Sequence, residues 1–175
     1  FMTSSRQKPS KVTLRAIEPE DLDILYMIEN NMELWNLGTT NVPYSRYILH
    51  DYIAHAAGDI YTDKQVRFMI ENDRKETVGI VDIVNFNPRH QRAEIGIVIQ
   101  KNYRGLGYAK QALIKVIDYA LKVLHLHQLY AIVEIKNVKS IKLFSSLGFE
   151  QNMKLKDWLY DGHSYCDAIM MQLLS

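Results

Sequence analysis

The feature that most constrains the fold is an apolar run at spacings of three and four: Ala109, Ala112, Leu113, Val116, Ile117, Ala120, Leu121 and Leu124. That spacing predicts a helix with one buried face. The helix begins at Gly107, close behind the strand-like "AEIGIVIQ" (93 to 100), so "KNYRGLGYAKQAL" (101 to 113) is a strand-to-helix connection carrying two glycines two positions apart.

The remaining segments supply a sheet. "VTLRAI" (12 to 17) alternates as a strand, and "EPEDLDILYMIEN" begins a helix with Pro19 at its start and acidic residues in its first turn. "SRYILHDYIAHAA" (45 to 57) has helical spacing behind Ser45, a cap residue. "QVRFMIEN" and "ETVGIVDIVNF" flank a polar turn, and "NPRH" separates them from 93 to 100, which makes an antiparallel meander. "QLYAIVEI" (128 to 135) is a strand, "NVKSIKLFSSLGF" a short helix ended by Gly148, and the last segment a hairpin turning at Asp161 and Gly162. The order β α α β β β α β α β β is one α+β domain around a mixed sheet of about seven strands and about four helices.

The 175 residues suit a single domain, with 47% hydrophobic and 23% charged residues. A net charge of +1 offers no field for gathering nucleic acid or an anionic membrane, so neither is an expected partner. No apolar run approaches a membrane span, no signal core leads the chain, and Cys166 has no second cysteine to pair with, so a cytoplasmic location is expected. Residues 1 to 11 read as a tail, with Phe1 ahead of Met2 a cloning remnant, and residues 12 to 175 as the domain.

The glycine loop is a candidate anion site. The first N–H groups of the following helix have no intrahelical partner, and the helix dipole adds partial positive charge there. Gly105 and Gly107 let backbone approach a phosphate, while Arg104 and Lys110 bring charge to the rim. A Walker loop is excluded because nothing supplies Gly-Lys-Ser/Thr, and a dinucleotide fingerprint fits poorly because Lys110 occupies the third glycine position. Taken alone, two glycines can equally just turn a strand into a helix.

Wider context comes from likeness. "RGLGYA" resembles the Arg/Gln-x-x-Gly-x-Gly/Ala signature of the GNAT superfamily of acetyl-CoA-dependent N-acetyltransferases, with Arg104, Gly107 and Ala109 at its positions. "NVKSIKLFSSLGF" resembles that family's second cofactor segment, through Asn137, Ser140, Gly148 and Phe149. Over residues 12 to 172 the chain looks most like the branch that acetylates spermidine or ribosomal-protein amino termini.

This resemblance implies a GNAT fold, a twisted, mostly antiparallel sheet, with acetyl-CoA as cosubstrate. Pantetheine would lie between splayed strands against Ile97, Val98 and Ile99, with pyrophosphate on Arg104, Gly105, Leu106, Gly107, Tyr108, Ala109 and Lys110. Further cofactor contacts would come from Asn137, Ser140 and Phe144. Direct transfer needs aligned reactants, a neutral amine and a donor for the oxyanion. Backbone N–H at Val98 or Ile99 is the candidate donor, and Glu94 the candidate base or amine-orienting carboxylate. Where related polyamine enzymes carry a proton-donating Tyr, this chain has Phe144, and Asn85 stands in place of a family glutamate.

A cationic acceptor would be drawn by carboxylates and aromatic faces, for which Glu29, Glu33, Trp35, Tyr44 and Asp82 are the candidates, with Asp167 a further one. The favoured acceptor is a polyamine-like small amine. The alternatives are a protein or peptide amino terminus, or a non-catalytic acyl-CoA-binding domain. The family further implies a homo-oligomer, a dimer or larger. "HLH" (125 to 127) lacks a third ligand and reads as loop, so no metal is expected. The tyrosines and Met69, Met170 and Met171 read as core.

Overall fold

The computed structural model describes residues 11–31, 43–56 and 58–175. Its seven strands are β1 (Val12–Arg15), β2 (Val66–Asn72), β3 (Thr77–Asn87), β4 (Arg92–Ile99), β5 (Gln128–Glu134), β6 (Glu150–Tyr160) and β7 (Tyr165–Leu174). They form one sheet in the order β1-β2-β3-β4-β5-β7-β6. Every neighbouring pair is antiparallel except β4 with β5. Five helices are described: α1 (Leu22–Glu29), α2 (Arg46–His55), α3 (Ile60–Asp63), α4 (Tyr108–Lys122) and α5 (Val138–Ser146). The expected mixed, mostly antiparallel α+β sheet is therefore present, with one helix more than the sequence reading anticipated. That helix, α3, is a single turn capped by Asp59, too short to show a period.

Local chemistry sets the element ends. Pro19 opens a 3-10 turn into α1, where Glu18 and Asp21 form a reciprocal capping box. Arg15 of β1 holds Asp21 through hydrogen bonds of 2.7 and 2.8 Å, fastening the start of α1 to the sheet edge. Ser45 caps α2 by accepting from Ile48 N–H at 3.1 Å, and Asn137 caps α5 by accepting from Ser140 N–H at 3.2 Å. The final hairpin turns on Asp161, whose carboxylate accepts from the His163 and Ser164 amides at 2.8 Å. Its first strand starts at Glu150.

The two faces of the sheet carry different layers. The α4 helix buries Ala112, Leu113, Val116 and Ala120 against Val81, Ile83, Ala93, Ile95 and Leu129, and α5 adds Phe144 to the same cluster. Burying a side chain such as Leu113 or Val116 contributes about 1.5–3 kcal/mol. On the opposite face α1 and α2 pack Leu25 and Leu49 on Met69 and Ile80. Met171 is also fully buried, but Met170 is only half-buried. Tyr47, Tyr61, Tyr160 and Tyr165 are exposed, so the reading of the tyrosines as core holds for Tyr108 and not for these four. Their hydroxyls keep water, which a strand or helix period does not reveal.

Candidate active site

The site grows from the one parallel junction of the sheet. The β4–β5 ladder runs Arg92↔Gln128, Ala93↔Leu129 and Glu94↔Tyr130 and then stops, although both strands continue. Beyond Glu94 the two strands diverge, leaving a wedge between them. Gln100 N–H donates to Val78 O at 2.8 Å, and a Cβ on Gly79 would be driven into the Val98 carbonyl oxygen. The backbone of Val98 and Gln100 is therefore turned toward β3, and alternation along the strand turns that of Ile97 and Ile99 toward the wedge. Of the two expected oxyanion donors, Ile99 N–H faces the wedge and Val98 N–H faces away from it. The closeness of β3 and β4 here is possible only because residue 79 has no side chain.

The glycine loop lies at the mouth of the wedge. After a 3-10 turn at Lys101–Tyr103, Gly105 and Gly107 adopt φ of 75° and 84°. Both values favour glycine. Gly107 occupies the N-cap of α4 with no side chain capping it, so the first-turn N–H groups of Tyr108, Ala109 and Lys110 are presented outward. Tyr103 donates its hydroxyl to Glu76 at 3.0 Å, which fastens the loop to the β2–β3 turn. Arg104 Nε donates to Ile99 O at 2.9 Å, folding its cation back over the end of β4. Leu106 and Lys110 are exposed, while Tyr108 is buried. These groups fit a pyrophosphate: uncapped amides, a positive helix end and two nearby cations.

Two cavities open on the α1/α2 face. The larger, of about 330 Å³, is lined by Glu29, Tyr44, Tyr52, Arg67, Asp82 and Val84, among others. The smaller, of about 160 Å³, is lined by Met27, Ile28, Asn31, Val98, Ile99 and Arg104, among others. The last turn of α1 serves both. Asn30 grips the Tyr44 backbone with hydrogen bonds of 2.7 and 3.0 Å, holding the start of the α2 segment beside that turn.

Gly96 sits between the cavities. It lies opposite Asp82, while Val98 lies opposite Ile80 and Glu94 opposite Val84, so Glu94, Gly96 and Val98 share the face of β4 on which the cavities open. A Cβ at Gly96 would meet no described atom within 4 Å. The strand thus presents bare backbone between Asp82 of the carboxylate-lined cavity and Val98 of the one beside the loop. Sequence reasoning passed over this residue, although an isolated glycine inside "EIGIVI" is a signal of close approach by backbone or ligand.

Glu94 stands at the apex of the wedge. Asn85 Nδ2 donates to its Oε2 at 2.8 Å, from a bulged stretch of β3 where Asn85 has φ of 51°. Burial raises the Glu94 pKa above the ordinary glutamate value, opposed by the Asn85 hydrogen bond. Tyr130, its neighbour on β5, also has a raised pKa, through burial first and the charge of Glu94 second. The folded carboxyl keeps its proton to higher pH than the unfolded one, so stability falls as pH rises through the window between them. Glu94→Gln should remove that fall: its melting temperature is expected to vary less with pH above about pH 4.3 than that of the unaltered protein.

Other residues stand apart. Phe144 is buried and packs edge to face on Phe149 with centroids 5.1 Å apart. Ser146 donates to Leu143 O at 2.6 Å within α5. Asp167 belongs to the far hairpin, 3.2 Å from Lys154 and accepting from Asp157 N–H, so it does not join Asp82 in the cavity. Glu33 and Trp35 lie outside the described residues. No group of three metal-ligating side chains and no helix long and apolar enough to cross a membrane occurs among the described residues.

A mixed sheet with one splayed parallel junction, an uncapped helix end at its mouth and a carboxylate-lined cavity on its face suits a phosphate-bearing ligand lying next to a cationic one. Residues 11–150 match the acetyltransferase (GNAT) domain family, so the chain belongs to that family and is an N-acetyltransferase. It is 35% identical over 165 residues to the spermidine N(1)-acetyltransferase of Escherichia coli K12, covering 91% of this chain and 84% of that one. It superposes on the spermidine N-acetyltransferase of Vibrio cholerae in complex with CoA and spermine with a TM-score of 0.83 and 29% identity, over 93% and 95% of the two chains. A dodecameric structure of the Vibrio enzyme in an intermediate state matches with a TM-score of 0.78 and 29% identity over 93% of each chain.

Proposed function

We propose that this enzyme transfers the acetyl group of acetyl-CoA directly to a primary amine of a polyamine or similar small cationic amine. The observation that carries the reading is the bare strand position at Gly96, opposite Asp82 of the carboxylate-lined cavity and two residues from Val98 of the cavity beside the phosphate-type loop. Spermidine acetyltransferases among the relatives support the same acceptor class.

In this mechanism the first-turn amides of α4, with Arg104 and Lys110, hold the pyrophosphate. Backbone of Ile97 and Ile99 pairs with pantetheine, while Val98 contributes its side chain to the wall. Asn137, Ser140 and Phe144 border the second segment, Phe144 as an apolar wall. Ile99 N–H stabilises the developing oxyanion. The acceptor must shed a proton before it attacks, and Glu94, with its raised pKa at the apex, takes it. The leaving thiolate takes its proton from water, because Phe144 has none to give. Glu94→Gln is expected to lower kcat about a hundredfold and to abolish the acidic limb of its pH profile; an unchanged profile would remove Glu94 from this role. As the Vibrio relative is dodecameric, the exposed Trp158, Tyr160 and Tyr165 on the β6–β7 hairpin are the surface offered here for self-association.

The test is thiol release from acetyl-CoA against spermidine, spermine, diamines, aminoglycosides and amino-terminal peptides, with the thermal shift by CoA measured in parallel. Turnover is expected with polyamines. Turnover with peptides alone would transfer the reading to protein amino termini, and a CoA shift without any turnover would leave an acyl-CoA-binding domain.

A further inference from the structure

The β3–β4 ladder changes phase beside Glu94. Val84 lies opposite Glu94 and Asn87 opposite Arg92, so three steps along β3 span two along β4 and one residue of β3 is extra. Up to that point β3 alternates, with Val81 and Ile83 buried in the core and Asp82 and Val84 lining the larger cavity. Unbroken alternation would turn Asn85 into the core and Phe86 out of it. The reverse is found: Phe86 is buried and Asn85 is exposed. Asn85 takes φ of 51°, a left-handed conformation that asparagine adopts more readily than most residues with a side chain. The bulge thus brings the Asn85 amide round to the Glu94 side of the strand, where its Nδ2 donates to Glu94 Oε2 at 2.8 Å.

An ionised carboxylate only accepts hydrogen bonds, so the amide nitrogen is the end of Asn85 that suits it. Among the described residues, Asn85 is the side chain hydrogen-bonded to this carboxylate. The titratable groups around it are Tyr130, in register with Glu94 on β5, and Arg92, two residues back on β4. Further along β3 stands Asp82, whose two oxygens accept from Arg67 at 2.8 and 2.9 Å, and Glu29 and Tyr52 line the cavity from α1 and α2.

We propose that Asn85 is a positioning residue: its amide, brought round by the bulge, fixes one oxygen of Glu94 and leaves the other to meet the acceptor amine. This rests on the reading of Glu94 as the base. The same hydrogen bond favours the ionised carboxylate and so works against the effect of burial. A base must be ionised to take a proton, so without the amide Glu94 is both less well aimed and protonated to higher pH.

The experiment records kcat against pH in the full-length protein, with saturating acetyl-CoA and spermidine, for Asn85→Gly and Asn85→Asp, each alone and combined with Glu94→Gln. Glycine keeps the left-handed backbone and removes the amide. Asn85→Gly should move the acidic limb up by about one pH unit, so that kcat on that limb falls about tenfold while KM for acetyl-CoA stays level. Asn85→Asp keeps the shape but sets a like charge against Glu94, and should move the limb further in the same direction. In Glu94→Gln, which has no base to position, neither change should cost much more activity. A merely structural Asn85 would lower activity by the same factor in both backgrounds and leave the limb in place. Asn85→Asp decides alone if Asn85→Gly does not fold. A limb that Glu94→Gln abolishes but neither Asn85 variant moves overturns this inference alone. A limb that survives Glu94→Gln removes Glu94 as the base, and unaltered protein that does not acetylate spermidine overturns the acceptor reading; either result takes this inference with it.

Discussion

Replacing Gly107 with glutamate is expected to cut CoA affinity by more than about a hundredfold, equivalent to roughly 2.7 kcal/mol, while leaving a folded protein. Gly107 is the N-cap of α4, with φ of 84° and no capping side chain. A carboxylate there is drawn to the first-turn N–H groups and satisfies them internally, which suits the helix but occupies the place of a phosphate. The strain of a side chain at this φ, about 1–2 kcal/mol, bears mainly on stability. Gly107→Ala carries that strain without the charge, so it serves as the control and should lose much less affinity. Calorimetric titration with CoA reads both variants. Equal affinity in Gly107→Glu and the unaltered protein would mean that the pyrophosphate does not sit on this helix end.

Gly96→Val should have the opposite profile. Its Cβ enters space that no described atom occupies, and valine suits a strand better than glycine does, so the melting temperature is expected to stay level or rise. The new side chain stands on the strand face between Asp82 and Val98, where the proposed mechanism brings the amine and the acetyl group together. Displacing reacting atoms by about 1 Å can cost about a hundredfold in rate, so acetyl transfer should fall at least that far. CoA affinity should change only a few-fold, because the loop and the wedge mouth are untouched. Full activity in a stable Gly96→Val protein would place the reaction elsewhere.

The elements of this fold were legible because their signals are local. The spacing behind Gly107, the caps at Ser45 and Asn137 and the Asp161–Gly162 turn each depend on residues within one or two turns of chain. The loop and its cations were legible for the same reason. The splaying of β4 from β5 was not, since the register ending at Glu94↔Tyr130 is a pairing between distant segments, and only the family resemblance suggested it. Arg67 shows the limit most clearly. Glu29 and Asp82 were picked out as amine-binding carboxylates, but the arginine that bridges them is 38 residues from one and 15 from the other. One clue was available: Arg67 precedes Met69 by two positions in a strand and so shares its inward face, where a charge needs a partner. Asp167 fails for the reverse reason, since a strand residue of the right chemistry gives no hint of which end of the sheet it occupies.

The last turn of α1 lines both cavities, with Glu29 in one and Met27, Ile28 and Asn31 in the other. In the proposed mechanism the two substrates therefore share a wall. Any adjustment of that turn that favours the amine is felt at the coenzyme side as a change in affinity, and thermodynamic reciprocity requires the coenzyme to alter amine affinity by the same factor. On the proposed assignment of the two cavities, a short helix end therefore ties the two binding events together, and the affinity measured for either substrate is expected to depend on the concentration of the other.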